Sequence, residues 1–126
     1  MKSTVFIVED SRTMRNLVRS VLEGDGYDVC ESADGRQALA ALPSLSPDLV
    51  IADINMPEMD GIALVREIRK LPALGRTPVL ILTTESDDET KATARAAGAT
   101  GWIGKPFRPD QLLQVVSRVL ERRKPG

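Results

Sequence analysis

The sequence contains no histidine and a single cysteine, Cys30, among its 126 residues. Without histidine, the protein has no imidazole for catalysis or metal binding, and one cysteine cannot form an internal disulfide. A lone cysteine is typical of a reducing compartment, and Cys30 is more simply interpreted as a small apolar strand residue than as a reactive thiol. The chemistry of this protein therefore has to come from other side chains.

Long apolar segments are also missing. No run approaches the roughly 20 residues of a membrane-spanning helix, and the N-terminus lacks the apolar core of a signal peptide. The formal net charge is only −1, so there is no general basic field for nucleic acid or an anionic membrane. We expect a cytoplasmic protein whose partners include neither nucleic acid nor membrane.

What is present is an ordinary globular composition, with 42% hydrophobic and 28% charged residues. The length is near the common size of one domain, and no linker or low-complexity tract divides the chain. We predict a single domain spanning residues 1–126.

Short apolar runs alternate with segments of helical spacing. The runs predict five strands, at residues 4–8, 27–32, 48–52, 79–82 and 101–104. The spacing predicts five helices: one capped by Asp10 or Ser11 and stopped at residues 24–26, then 36–42, 61–71, 85–97, and one from Pro109 through Leu120.

Some details of these helices follow from single residues. Pro43 is expected to end the second helix. The inner face of the fourth is expected at Ala92 and Ala96, with Ala94 as a further candidate, and to hold weakly because alanine buries little area. Residues 121–126 are expected to fray.

Strands that alternate with helices predict an α/β fold, a doubly wound parallel sheet with right-handed crossovers. In such sheets ligands bind beyond the carboxyl ends of the strands. Polar residues stand at four of these five ends. They are Glu9, Asp10, Asp53, Thr83, Thr84 and Lys105.

Each of these residues has an ordinary structural explanation when it is taken alone. Asp10 could be a helix cap, Asp53 a turn acid and Lys105 a solvated amine. Their convergence on one edge of one sheet favours a functional site instead, because independent accidents would all have to share that edge.

The three acids of this group would repel one another strongly. Two carboxylates about 4 Å apart repel by about 4 kcal/mol at an effective dielectric constant of 20. Either a proton or a cation must then be bound. A set of oxygen ligands without histidine or cysteine favours Mg²⁺, with Mn²⁺ as an alternative. Three carboxylates are neutralised by one divalent ion and Lys105.

A site of this kind is suited to phosphoryl chemistry. The metal and Lys105 would withdraw negative charge from a phosphoryl group, and a threonine hydroxyl would donate to one of its oxygens. An aspartate carboxylate can act as the nucleophile that forms an acyl phosphate. No P-loop or Gly-x-Gly-x-x-Gly pattern is present, so we do not expect bound ATP to be the donor.

Three segments, in order, resemble the receiver domains of two-component response regulators, and most closely the stand-alone chemotaxis regulators of the CheY type. They are residues 7–15 (IVEDSRTMR), 53–61 (DINMPEMDG) and 97–107 (AGATGWIGKPF). The resemblance covers nearly the whole chain. It implies a flavodoxin-like, CheY-like fold with strand order 2-1-3-4-5.

The resemblance also implies how the acids work. Asp53 would accept a phosphoryl group from a phosphohistidine of a histidine kinase. Glu9, Asp10 and Asp53 would hold Mg²⁺, and the backbone carbonyl of Asn55 would complete the protein ligands.

The remaining positions of the motif carry further implied roles. Thr83 would bind the phosphoryl group and Lys105 would pair with it, and the Lys105–Pro106 peptide is expected to be cis. Trp102 stands at the position of an aromatic switch, although from the sequence alone it could equally be a half-exposed core residue. The fourth helix, fifth strand and fifth helix would form the face that binds a downstream protein.

Three residues depart from the family pattern. Glu9 stands where aspartate is more common, and Trp102 replaces the usual tyrosine or phenylalanine. Thr84 stands where alanine or glycine is frequent, and a larger side chain there would crowd the phosphoryl site. Asn55 and Glu85 match the CheY-type residues at the two positions that tune dephosphorylation, which predicts a short-lived signal.

We therefore expect a monomeric, non-enzymatic phosphoacceptor that acts as a stand-alone regulator in chemotaxis-type signalling. The chain ends soon after the fifth helix, so we expect no output domain. Three alternatives remain open: a small Mg²⁺-dependent phosphatase or phosphotransferase, with Glu58 as the nearby acid/base candidate; an interaction module that is never phosphorylated; and a phosphorelay intermediate or receiver fragment of a larger regulator.

Overall fold

The computed structural model describes residues 2–84 and 87–123. Within these residues, five parallel strands form one sheet in the predicted order 2-1-3-4-5. The strands are β1 (Thr4–Val8), β2 (Asp28–Ser32), β3 (Leu49–Asp53), β4 (Val79–Thr83) and β5 (Gly101–Gly104).

Five α-helices connect and follow the strands in the described ranges. They are α1 (Arg12–Gly24), α2 (Gly35–Leu45), α3 (Gly61–Lys70), α4 (Asp88–Ala97) and α5 (Pro109–Arg123), and a short 3₁₀ turn (Pro72–Leu74) precedes β4. The first four begin at a polar cap whose side chain accepts the N–H of the residue three positions on. These caps are Ser11, Asp34, Asp60 and Asp87.

Both faces of the sheet are covered, because successive strand residues point to opposite sides. In β1, Val5 and Ile7 pack on one face with residues of α1 and α5. Phe6 and Val8 pack on the other face with residues of α2 and α3. The nearly continuous apolar sequences of the central strands are explained by this double burial.

The end of α2 differs from its prediction. The helix does not stop before Pro43 but continues to Leu45, and Ser46 closes it with a left-handed φ of 43° and an N–H bond to the Leu42 carbonyl. Proline near the end of a helix removes only its own N–H donor, so the last turn can still form.

Two other helix predictions are wrong in part. Ala92 and Ala96 are exposed, and only Ala94 of α4 is fully buried, because the stripe that faces the sheet runs through positions 90, 94 and 97. The fifth helix does not fray at residue 121 but extends to Arg123. Residues 124–126 lie outside the described part of the chain.

In the described part of the chain, no helix has both the length and the apolar character needed to span a membrane.

Candidate functional site

The acidic site is created by the register of the two central strands. Val8 of β1 lies opposite Ala52 of β3, so the next residues, Glu9 and Asp53, are neighbours at the carboxyl edge of the sheet. Asp10 follows in the loop to α1. One carboxylate oxygen from each of the three acids lies within 4.8 Å of the others. The predicted acidic group is therefore present.

Two of the three carboxylates are shielded from water. Glu9 is 1% exposed and Asp53 is 5% exposed, while Asp10 is open to solvent. Repulsion between buried carboxylates is weakly screened, so an empty site holds unfavourable negative charge.

Lys105 supplies the positive charge from the carboxyl end of β5. Its Nζ donates to Asp53 Oδ1 at 2.9 Å and to Glu9 Oε1 at 3.2 Å. Burial opposes the charge on Lys105, but the hydrogen bonds and charges of Asp53 and Glu9 outweigh it, so its pKa is raised. The Lys105–Pro106 peptide is cis, as predicted.

Glu9 is the carboxyl group most affected by this environment. Burial raises its pKa to about 7, although the N–H of Ser11, which donates to Glu9 Oε2 at 3.1 Å, acts in the opposite direction. The charges of neighbouring Asp53 and Lys105 contribute smaller effects of opposite sign. A cation at the site would replace the proton that Glu9 otherwise binds below this pH.

The donor set fits a hard divalent cation. It consists only of carboxylate oxygens, they converge within one ion-sized region, and their charge exceeds that of Lys105. The exposed residue Asn55 lies two positions after Asp53, and its N–H is 3.5 Å from Asp53 Oδ1. The role of its carbonyl as a ligand stays a prediction.

The two threonines at the end of β4 are placed differently. Thr83 is buried, with 3% exposed, and lines a small gap together with Trp102 and residues of α4. Thr84 is exposed. Glu85 lies outside the described residues, so its predicted role in dephosphorylation stays a prediction.

Trp102 is partly buried in β5, and two cations of α4 lie near its ring. Lys91 Nζ and Arg95 Cζ are each 5.4 Å from the ring centroid. Contacts of this kind are favourable because the cation is attracted to the aromatic face. The indole thus touches both the Thr83 gap and the surface of α4.

Glu58 does not join the acidic group. Its side chain is 68% exposed, and its carboxylate lies 3.6 Å from Arg36 of α2. The phosphatase alternative required an acid or base beside Asp53, and the structure places its candidate elsewhere.

Two residues that support the site were not identified from the sequence. A Cβ added to Gly61 would lie 2.5 Å from the Asp53 carbonyl oxygen, so only glycine lets α3 begin this close to β3. Arg15, interpreted as one of the polar residues between the apolar positions of α1, instead bonds the backbone of Glu9 and Asp10. Helical spacing gave no signal for either contact.

The protein is a doubly wound α/β domain, and three acids that could bind a cation lie at the carboxyl edge of its sheet. Residues 5–117 match the family described as response regulator receiver domain. The chain belongs to this family.

Two solved structures of related proteins match this chain over nearly its whole length. The chemotaxis protein CheY4 of Vibrio cholerae is 42% identical with a TM-score of 0.92, over 94% of this chain and 99% of that one. The signal receiver domain of a histidine kinase from Syntrophus aciditrophicus is 37% identical with a TM-score of 0.90, over 98% and 94% of the two chains.

Among curated proteins, the KDP operon transcriptional regulatory protein KdpE of Escherichia coli is 37% identical over 96% of this chain and 52% of its own length. The DNA-binding response regulator MtrA of Mycobacterium tuberculosis is 34% identical over 97% and 52%. The chain spans about half the length of these curated relatives.

Proposed function

We propose that this protein is a phosphorylation-driven switch in which Asp53 accepts a phosphoryl group from a phosphohistidine of a histidine kinase. The observation that carries this proposal is the buried Asp53 carboxylate, held between Glu9, Asp10 and the ammonium of Lys105. A buried carboxylate that shares its site with two other acids and a lysine is typical of a reactive site, because exposed surface acids that only aid solubility have no such surroundings.

The reaction transfers the phosphoryl group from an imidazole nitrogen of the donor to a carboxylate oxygen of Asp53. A carboxylate oxygen of Asp53 attacks phosphorus, an O–P bond forms, and the P–N bond to the donor imidazole breaks. The imidazole leaves with the bonding electron pair and takes a proton from solvent. Hydrolysis of the acyl phosphate later restores Asp53.

Each neighbouring residue would have one task in this reaction. Glu9, Asp10 and Asp53 would hold Mg²⁺, with the Asn55 carbonyl as a further ligand, and the ion would neutralise charge on the phosphoryl oxygens. Lys105 Nζ lies 2.9 Å from Asp53 Oδ1. It is therefore close enough to pair with an oxygen of a phosphoryl group on Asp53. Thr83 would donate its hydroxyl to another oxygen.

The signal would pass from Thr83 to Trp102. Both line the same small gap beside Ala94 of α4, so a shift of the threonine toward a phosphoryl group would alter the space available to the indole. The contact with Lys91 and Arg95 would carry the change to the surface of α4.

The output surface would be the face formed by α4, β5 and α5. A groove of about 390 Å³ between β5 and α5, at one edge of this face, is lined by Trp102, apolar residues and three arginines, Arg76, Arg118 and Arg122. None of the three arginines pairs with an acid within residues 2–84 and 87–123. Their charge favours an acidic, partly apolar segment of a downstream protein.

Reversal of one of these charges tests the output surface. Arg118→Glu should weaken binding of a peptide of alternating glutamate and leucine, while phosphorylation at Asp53 stays unchanged because the groove lies away from the acidic site. Equal peptide affinity in both proteins, measured by fluorescence anisotropy, would contradict this assignment.

Two biological settings are supported by the relatives of this chain. Similarity to CheY4 over nearly the whole of both chains supports a stand-alone chemotaxis-type regulator. KdpE and MtrA, named as a transcriptional regulatory protein and a DNA-binding regulator, support the alternative of a receiver within a larger regulator. A monomer in the cytoplasm fits either setting.

Trp102 provides a direct test, because it is the only tryptophan of the chain. Its fluorescence should change on addition of Mg²⁺ and change again when beryllofluoride, which mimics a phosphoryl group, is added. In Asp53→Asn the second change should be lost. Wild-type protein that responds to neither addition would overturn the proposed switch.

A further inference from the structure

Arg15 lies in the first turn of α1, and its side chain is largely buried, with 13% exposed. Its Nη1 donates to the backbone carbonyl of Glu9 at 2.8 Å and reaches that of Asp10 at 3.4 Å. The same two residues supply carboxylates to the acidic site. A hydrogen bond from a charged donor is stronger than one between neutral groups, so this contact restrains the loop firmly.

The guanidinium is itself held in place from the side of β2. Its Nε donates to Glu31 Oε2 at 2.8 Å, and the other oxygen of Glu31 accepts a hydrogen bond from Arg19. The bonds from Arg19 and then Arg15 hold the pKa of Glu31 below its usual range, although burial opposes them. Glu31 therefore stays ionised at neutral pH, and Arg15 is fixed between α1 and β2.

This bridge matters because the loop from β1 to α1 carries two mutually repelling acids in adjacent positions. The N–H of Glu9 is already bonded to the Ser32 carbonyl at 3.2 Å, at the edge of the sheet. When Arg15 also holds the carbonyls of Glu9 and Asp10, the peptide planes that set the direction of both side chains are fixed. A planar guanidinium can make these bonds and the bond to Glu31 at once.

We propose that Arg15 is a positioning residue for the metal site: by holding the carbonyls of Glu9 and Asp10, it directs both carboxylates toward one divalent cation. This inference rests on the proposed function, since it requires that the acidic group binds Mg²⁺. Arg15 itself contacts neither the cation nor the phosphoryl group.

The sign of the expected effect separates positioning from simple charge. Removal of a positive charge near a cation site should strengthen Mg²⁺ binding if only Coulomb attraction acts. Arg15→Gln should instead weaken it, by roughly 10–100-fold, because partners that orient metal ligands typically have effects of this size. The dissociation constant for Mg²⁺ is measured by isothermal titration calorimetry.

Arg19→Gln is the matched control. Arg19 shares Glu31 with Arg15 and also pairs with Glu23 at 3.3 Å, yet among the described residues its bonds go to these acids and not to the loop carbonyls. The Arg19→Gln substitution removes the same positive charge from α1 as Arg15→Gln does. The Mg²⁺ affinity of Arg19→Gln should therefore stay equal to that of the wild type or increase slightly.

A third variant keeps the test decisive if Arg15→Gln folds poorly. Glu31→Gln leaves Arg15 in place but loses the carboxylate that orients it, so it should weaken Mg²⁺ binding less than Arg15→Gln does. Unfolding midpoints in chelator are measured for all variants. A loss of stability in Arg15→Gln or Glu31→Gln without a loss of Mg²⁺ affinity would overturn the positioning role.

The wild-type titration separates this inference from the proposed function. If the wild type binds no Mg²⁺, the proposed function itself fails. If the wild type and Arg15→Gln bind with the same affinity, the acidic site stands and only the role of Arg15 is wrong.

Discussion

At the scale of single residues, Glu9 makes the stability of the metal-free protein depend on pH. Its folded pKa of about 7 exceeds the ordinary value of 4.5, so the contribution of protonated Glu9 to stability is fully present below pH 4.5 and is lost as pH rises from 4.5 through 7. The loss amounts to about 3 kcal/mol. Urea unfolding in chelator should show stability declining over this range.

Glu9→Gln provides the comparison for this titration. The glutamine cannot titrate, so the decline should be much smaller in the variant, and Mg²⁺ should bind the wild type more tightly as pH rises toward 7. Parallel pH profiles for the two proteins would show that Glu9 is not the titrating group.

Gly61 gives a second prediction at this scale. Gly61→Ala should destabilise the protein by roughly 1–3 kcal/mol, because the added Cβ would meet the Asp53 carbonyl oxygen at 2.5 Å. It should also slow phosphorylation, since the displaced backbone carries the acceptor. Chemical denaturation and acetyl phosphate labelling measure the two effects.

Gly24→Ala is the control for Gly61, since no atom lies within 4 Å of a Cβ built there. It should be neutral or slightly stabilising, because alanine restricts the unfolded chain more than glycine does. If both glycines tolerate alanine equally, the close contact between α3 and β3 does not limit the site.

The acids and the lysine could be predicted from the sequence because a parallel sheet brings every carboxyl strand end to one edge. Glu9, Asp53 and Lys105 needed only that rule and the chain order. Arg15 and Gly61 could not be found this way, because their contacts are with backbone oxygens whose positions depend on the register and on the approach of a helix.

At the scale of elements, α4 is the least firmly held of the helices that cover the sheet beside Asp53. It buries one residue, Ala94, whereas α3, also ten residues long, buries four. Small buried area allows local opening at low free energy. Amide hydrogens of α4 should therefore exchange faster than those of α3, as hydrogen exchange mass spectrometry can measure.

Binding of beryllofluoride, which mimics a phosphoryl group, should change the difference in exchange rate between α4 and α3. With Mg²⁺ and beryllofluoride bound, the exchange rate of α4 should change relative to the free protein while that of α3 stays constant, because the gap lined by Thr83 and Trp102 is also lined by residues of α4. Protection in α4 that equals α3 and does not respond to the ligands would contradict a role for α4 in switching.

Helix ends and buried helix faces were harder to predict from the sequence than the helices themselves. Pro43 was expected to stop α2, but tertiary packing of Ala38 and Leu42 holds the helix and one missing N–H is tolerated in its last turn. The inner face of α4 was misassigned because several alanines lie at helical spacing, and spacing alone does not distinguish Ala92 from Ala94.

At the scale of the whole molecule, the apolar runs of β1, β3 and β4 predicted burial on both faces of the sheet. The strand order was implied by the resemblance to receiver domains and is the one observed. β2 carries several polar residues and lies at one edge of the sheet. These patterns define the edge on which the site lies, and thus the fold largely explains why the acids meet.

The central claim is that Asp53 is the phosphoacceptor and depends on its acidic neighbours to act. The most direct measurement is intact mass spectrometry after incubation with acetyl phosphate and Mg²⁺, on the wild type, Asp53→Asn and Asp10→Asn. The wild type should gain one phosphoryl group, lost on adding a chelator beforehand; Asp53→Asn should gain none, and Asp10→Asn little. Labelling of Asp53→Asn to the wild-type extent would contradict the account.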